Sequence, residues 1–258
     1  MRHRTTKSVA FVAVALVVIL ALAACEDDPA SVTTKDTLSD PLGDVAALNG
    51  YLYTTNDDRS GHAGSQVDLF KFTADGFAEN RFDLALNGVG YLAACSDGEW
   101  LYLQSRGNGR LFKVSPVGEI AWVRSDPFAG AGKLACGIAY RADVDSFVVI
   151  YRNPGTTAYT TRQHGPNFAG PASPPVTNDW TLFDPATGIL AVAWHNGWLW
   201  ALGLDQDGQA VVQGLRDDGS ATRFLTLDNA TACGLTVLDD ELIAAYPDRR
   251  FEAVINEE

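Results

Sequence analysis

The chain's four cysteines are the first residues whose chemistry needs an explanation. Three of them sit in similar Ala-Cys settings: "YLAACSDG" around Cys95, "KLACGIAY" around Cys136 and "ATACGLTV" around Cys233. Recurring thiols could hold a metal, cycle through a disulfide, or mark a repeated structural unit. Metal and redox sites commonly use a close C-x-x-C pair, so that two sulfurs reach one ion or one another. The chain has no such pair. Where the cysteines fall in the surrounding elements therefore decides among these readings.

Other residue types offer less. His62, His164 and His195 lie in turn-like or irregular stretches, with no nucleophile or metal-ligand spacing around them. Asp205-Gln206-Asp207-Gly208 has the start of a calcium loop but lacks the further acidic ligands and distal Glu that such loops use. Asp-Gly is also a hairpin turn, which is the expected role here. Asp57-Asp58 and Asp217-Asp218 are read in the same way.

The N-terminus has an address rather than a fold. Arg2, Arg4 and Lys7 precede an apolar run over residues 9–24, which ends in Leu22-Ala23-Ala24-Cys25. At 16 residues the run is shorter than the roughly 20 that a spanning helix needs. Basic region, apolar region and terminal "LAAC" stand in the order of a bacterial lipoprotein leader, and the last four residues resemble the lipobox. The resemblance implies that Cys25 is lipidated and becomes the first residue of the mature chain. Each buried CH₂ of an acyl chain contributes about 0.8 kcal/mol of anchoring. The expected location is extracytoplasmic, held to a bacterial membrane by palmitate-type chains. Without residues 1–25 the chain keeps 16 basic against 32 acidic residues. So acidic a surface repels polyanions, and nucleic acid is not an expected partner.

Residues 26–43 are polar and acidic and read as a spacer. From Asp44 to the end, short alternating segments are divided by Gly, Pro, Asn and Asp, as in "EWLYLQS", "RLFKVS" and "EIAWVRS". Leu52-Tyr53, Leu101-Tyr102, Ile150-Tyr151, Leu199-Trp200 and Ala245-Tyr246 recur at intervals of 49, 49, 49 and 46 residues. Four strands per repeat of about 45 residues describe a propeller blade. The expected fold is all-β: a β-propeller of five four-stranded blades, with second strands starting near Tyr51, Trp100, Phe147, Trp198 and Leu242. The last repeat has chain for three strands, and "SVTTKDTL" (31–38) is the candidate to close the ring. These units resemble the blades of bacterial quinoprotein-like and related propellers, and "FDPATGIL" (183–190) is similar to their Asp-x-x-Thr-Gly turn, with its tryptophan displaced to Trp194. No cofactor or metal is expected.

Set against these repeats, Cys136 and Cys233 open inner strands, whereas Cys95 lies at the far end of its strand. The three cannot form one ring of thiols. Small apolar packing residues are the expected role, with a Cys95–Cys136 bridge left open. In sugar-cleaving five-bladed propellers, which need paired carboxylates, the acids lie on the inner strands. Here "DVAALNG", "GYLAACS", "LACGIAY", "LAVAWHN" and "ACGLTVL" supply only Asp44. Trp100, Trp198 and Trp200 are expected in blade packing, and Trp194 in the core or as a sugar-stacking platform.

The leading expectation is a monomeric, non-catalytic binding or scaffold module of the cell envelope. Its partner would be an envelope protein or a small ligand. An envelope enzyme, hydrolytic or quinone-linked, and a glycan-binding propeller are the alternatives. Turns between second and third strands form one face of a propeller. On that ground Arg59, His62, Arg106 and Asn153 are the candidate contact residues.

Overall fold

The computed structural model describes residues 42–56, 66–87, 92–106, 108–126, 128–129, 133–152, 159–169, 173–174, 176–178, 180, 183–184, 188–216, 222–227 and 231–254. They form a five-bladed β-propeller within the unit Leu38–Glu258. Blade 1 holds β1 (Leu42–Leu48), β2 (Tyr51–Asn56), β3 (Gln66–Thr73) and β4 (Ala78–Asn87). Blade 2 holds β5 (Leu92–Ser96), β6 (Leu101–Ser105), β7 (Arg110–Val114) and β8 (Ile120–Ser125). Blade 3 holds β9 (Leu134–Arg141), β10 (Ser146–Arg152), β11 (Tyr159–His164) and β12 (Val176–Asn178), with a 3-10 turn at Pro166–Phe168. Blade 4 holds β13 (Ile189–His195), β14 (Trp198–Leu204), β15 (Ala210–Arg216) and β16 (Thr222–Thr226). Blade 5 holds β17 (Gly234–Leu238), β18 (Glu241–Ala245) and β19 (Phe251–Ala253).

Each blade is an antiparallel meander in chain order. The inner strands β1, β5, β9, β13 and β17 are the five segments expected from the sequence. They neighbour one another around the axis, and β17 returns to β1. The segment 31–38, read as the closing strand, lies outside the described residues. Closure is visible nonetheless between blades 5 and 1, where Leu42, Val45, Leu52, Phe70 and Phe72 pack with Cys233 and Ala245. The rings of Phe72 and Phe251 stand 5.4 Å apart across that seam. Four further apolar clusters fill the other blade interfaces, so the core is five wedges and not one centre.

Turn chemistry follows the residues. Asn49-Gly50 and Asn196-Gly197 have positive φ at both positions, as a two-residue hairpin between right-twisted strands requires. Asp239-Asp240 adopts the same form without glycine, at φ 50 and 66. Blades 2 and 3 use four-residue turns instead, with Ser96 opposite Leu101 and Arg141 opposite Ser146. The anchors spaced by 49 also sit at different places along their strands. Tyr53 and Trp200 are third in their strands, Tyr102 is second, Tyr151 is sixth and Tyr246 follows its strand. All five are buried. The spacing found the number of blades because every second strand carries, or is directly followed by, such a side chain, although the five are not equivalent positions.

The paired glycines after two of the cysteines show what "Ala-Cys-Gly" does. A Cβ on Gly137 would lie 2.7 Å from Val192 of the next inner strand, and one on Gly234 would lie 2.8 Å from the Val45 nitrogen. In both cases one inner strand presses on the next. The preceding thiols are buried: Cys136 Sγ points to the Leu134 carbonyl, and Cys233 Sγ to the carbonyls of Gly43 and Ala245. Cys95, Cys136 and Cys233 are all free thiols, so the bridge left open between Cys95 and Cys136 is not formed.

Candidate functional site

A propeller axis is lined by the unpaired edges of its inner strands, whose backbone groups need partners. In this chain two side chains of opposite charge supply many of them at one end. Asp44 is fully buried on β1. Its Oδ1 accepts the N–H groups of Val45 (2.9 Å) and Leu235 (3.2 Å), and its Oδ2 accepts that of Ala94 (3.0 Å). One carboxyl thus ties together the inner strands of blades 1, 2 and 5. Burial pushes it from the ordinary 3.8 up to about 7, against the pull of those three N–H groups and of Arg106.

Arg106 answers from the other side of the ring. Its Nη2 donates to the carbonyls of Cys136 (2.7 Å) and Ile189 (2.9 Å), and also to that of Leu190. These carbonyls belong to the inner strands of blades 3 and 4. Arg106 follows β6 in the turn between second and third strands, as expected, but its guanidinium points inward onto the axis. The reason is chemical: exposed strand-edge carbonyls are better partners for an extended five-donor group than solvent at a turn. Arg59, His62 and Asn153, and the lipid-attachment residue Cys25, lie outside the described residues.

The opposite end of the axis is open. A depression of about 170 Å³ is lined by residues of every blade, among them Ala47, Ser96, Tyr140, Trp194 and Thr236. Trp194 is half-buried, and the Arg141 guanidinium covers its ring at 4.0 Å. A covered ring is a poor platform for a sugar. Arg141 in turn pairs with Asp143 at 2.9 Å. Trp198 and Trp200 are buried between blades 4 and 5, and Trp100 packs between blades 2 and 3, as expected.

A polar network absent from the sequence reading joins blades 2 and 3. Gln104 Nε2 and Tyr151 Oη both donate to Asp126 Oδ2, at 2.8 and 2.6 Å. His164 Nε2 lies 2.9 Å from Tyr151 Oη, which with its own proton given to Asp126 accepts from the imidazole. His164 ends β11 and is 4% exposed, which corrects its expected place in an irregular stretch. Burial lowers its pKa, Asp126 opposes that shift and Arg162 reinforces it. The signal available was "YTTRQH", an alternating segment hidden by the prolines after it.

His195 ends β13 before its Asn-Gly turn, with Nδ1 3.8 Å from Asp240. The Asp205 carboxylate is used by its own turn, accepting the N–H groups of Asp207 and Gln209. Burial raises the thiols of Cys95 and Cys136 above their ordinary range, which keeps them protonated and unreactive.

No family model and no curated protein sequence matches the chain. Solved structures do resemble it in shape. An exo-β-1,3-galactanase from Phanerochaete chrysosporium superposes with a TM-score of 0.54 at 10% identity, over 80% of this chain and 55% of that one. A GH43_1 enzyme from Xanthomonas citri superposes with a TM-score of 0.51 at 12% identity, over 80% of this chain and 81% of that one. Kuenenia stuttgartiensis hydrazine synthase is more distant, with a TM-score of 0.45 at 11% identity, over 80% of this chain. The chain spans 61% of the matched hydrazine synthase chain. At such identities the likeness is one of fold alone: the chain is a five-bladed β-propeller.

Proposed function

We propose that this protein is a lipid-anchored, extracytoplasmic propeller that binds a partner without catalysis. The observation that carries the reading is the state of Asp44 and Arg106. The only acid on the inner strands is fully buried and spends both oxygens on backbone N–H groups. The arginine that reaches the axis gives its Nη2 to backbone carbonyls. Groups so engaged hold a ring together and are poorly placed to move protons on a substrate. The anchor rests on the leader and on Cys25, and the candidate contacts Arg59, His62 and Asn153 rest on their position in turns.

Two measurements test the reading. Labelling with a palmitate analogue, followed by membrane fractionation, is expected to mark the wild type and leave Cys25→Ser unlabelled and released. Affinity capture from native membranes, with Cys25→Ser as the mislocalised control, is expected to retain a partner that the control loses. Equal fractionation of wild type and Cys25→Ser would refute the anchor. Turnover of an envelope substrate that disappears in Asp44→Asn, with the fold intact, would refute the non-catalytic reading.

A further inference from the structure

The open end of the axis has a chemical bias of its own. In an antiparallel strand a residue directs its N–H and C=O to the same edge, and residues two apart share that edge. The N–H groups of Ala94 and Leu235 turn toward the axis, where Asp44 accepts them. The N–H of Ala47 also turns from its β-partner and is accepted by Thr236 Oγ1 at 3.0 Å. The carbonyls of Ala47, Ala94 and Leu235 therefore face the axis with them, and all three residues line the depression. With these donors already taken by side chains, the lining is left richer in acceptors.

The surrounding turns add charge of the same preference. Asp97 and Glu99, Asp143 and Asp145, and Asp239 and Asp240 stand on the first hairpin turns of blades 2, 3 and 5, which ring this end of the axis. Among them Arg141 pairs with Asp143, and Asp97 and Asp145 each accept a tyrosine hydroxyl, from Tyr102 and Tyr140, and keep their negative charge. The chain's net charge of −13 extends the attraction to longer range.

The protein itself shows what such an axis accepts. At the other end, the Arg106 guanidinium lies among three inner-strand carbonyls. At the wall of the open end, the Arg141 guanidinium stacks on Trp194. The depression has room for about five waters, and so for a guanidinium or ammonium head with part of its hydration.

We infer that the open axial depression is a receptor for a guanidinium or primary ammonium group, presented on a small amine or on a basic side chain of a partner protein. The inference rests on the binding-module reading for its biological sense, but its test is independent of anchoring.

The full-length chain in non-ionic detergent is titrated calorimetrically with agmatine, with a blocked Gly-Arg-Gly peptide, and with the same peptide carrying citrulline. The arginine peptide is expected to bind at least about tenfold more tightly than the citrulline peptide, and more weakly as salt rises. Agmatine binding as tightly as the peptide identifies a small amine as the source, and preference for the peptide identifies a protein; both outcomes support the site. The double variant Asp239→Asn, Asp240→Asn is expected to lose roughly three- to tenfold in affinity. Asparagine tolerates the positive φ of both positions, so the turn is kept. Ser96→Arg, which places a guanidinium in the depression from within, is expected to abolish binding. Equal affinity for arginine and citrulline peptides, no binding of any probe, or wild-type affinity in folded Ser96→Arg would overturn the inference. None of these results would alter palmitoylation or membrane capture, so the two readings fail separately.

Discussion

Gly137 of β9 and Val192 of β13 are in such close contact that a β-carbon on the glycine would lie 2.7 Å from Val192 Cγ2 and 3.2 Å from the Val192 nitrogen. No positive φ is involved, so the glycine is required by space and not by backbone conformation. Gly137→Ala is expected to destabilise the propeller by about 1–3 kcal/mol, the usual penalty for overpacking. Val192→Ala in the same chain is expected to restore part of that loss. A double-mutant cycle in urea, in the Cys25→Ser background, measures the coupling.

Asp44 gives stability a dependence on pH with a defined sign. Its folded pKa, about 7, is raised above the ordinary 3.8, so the folded state holds its proton longer than the unfolded state. The stability is full below about 4 and is lost as pH rises toward 7, by on the order of 4 kcal/mol at most. Asp44→Asn is expected to remove that slope. It is also expected to cost about 1–3 kcal/mol at acid pH, because the amide sets a donor against a backbone N–H. Unfolding free energies from pH 4 to 8 test both effects.

Arg106 is coupled to that titration, since its charge pulls the Asp44 pKa down. Arg106→Met is expected to shift the loss of stability to higher pH. It also leaves the carbonyls of Cys136 and Ile189 without this donor, a loss of about 1–3 kcal/mol at neutral pH. An unchanged pH midpoint would show that the two side chains do not sense each other.

His164 acts in the opposite direction. Its folded pKa lies below the ordinary 6.5, so the unfolded state binds the proton more readily. Stability is full above about 6.5 and falls as pH drops below that value. The facing charged groups are Asp126, which opposes the shift, and Arg162, which adds to it. Tyr151→Phe leaves the imidazole and the Asp126 carboxylate without their shared hydroxyl, at an expected cost of about 1–3 kcal/mol. Removing the imidazole with His164→Leu is expected to flatten the acid limb, leaving only the falling slope of Asp44.

The cysteines make a simple control. Cys95, Cys136 and Cys233 are buried and free. In folded Cys25→Ser protein they are expected to resist an aromatic disulfide reagent, and in urea all three are expected to react. Rapid reaction of the folded chain would contradict their burial between blades.

The sequence by itself determined the strands and their grouping. Alternation of apolar and polar residues, with Asn-Gly, Asp-Gly and Pro-Gly punctuation, is a local property, and it located all five inner strands and the start of every second strand to within a residue. The expectation of a leader rests on the same kind of local signal, a basic region, an apolar run and "LAAC" in sequence. The evenness of the 49-residue spacing overstated the repeat, since Tyr151 is sixth in its strand and Tyr246 lies just past its strand, whereas Tyr53, Tyr102 and Trp200 are second or third.

Only the tertiary structure decided what the axis does. Asp44 meets Ala94 and Leu235 across 50 and 191 positions, and Arg106 meets Leu190 across 84. Nothing near Asp44 or Arg106 in the chain marks either as a link between inner strands. Those roles follow from ring closure, which brings the unpaired edges of five inner strands together and makes backbone N–H and C=O groups compete for the few charged side chains within reach.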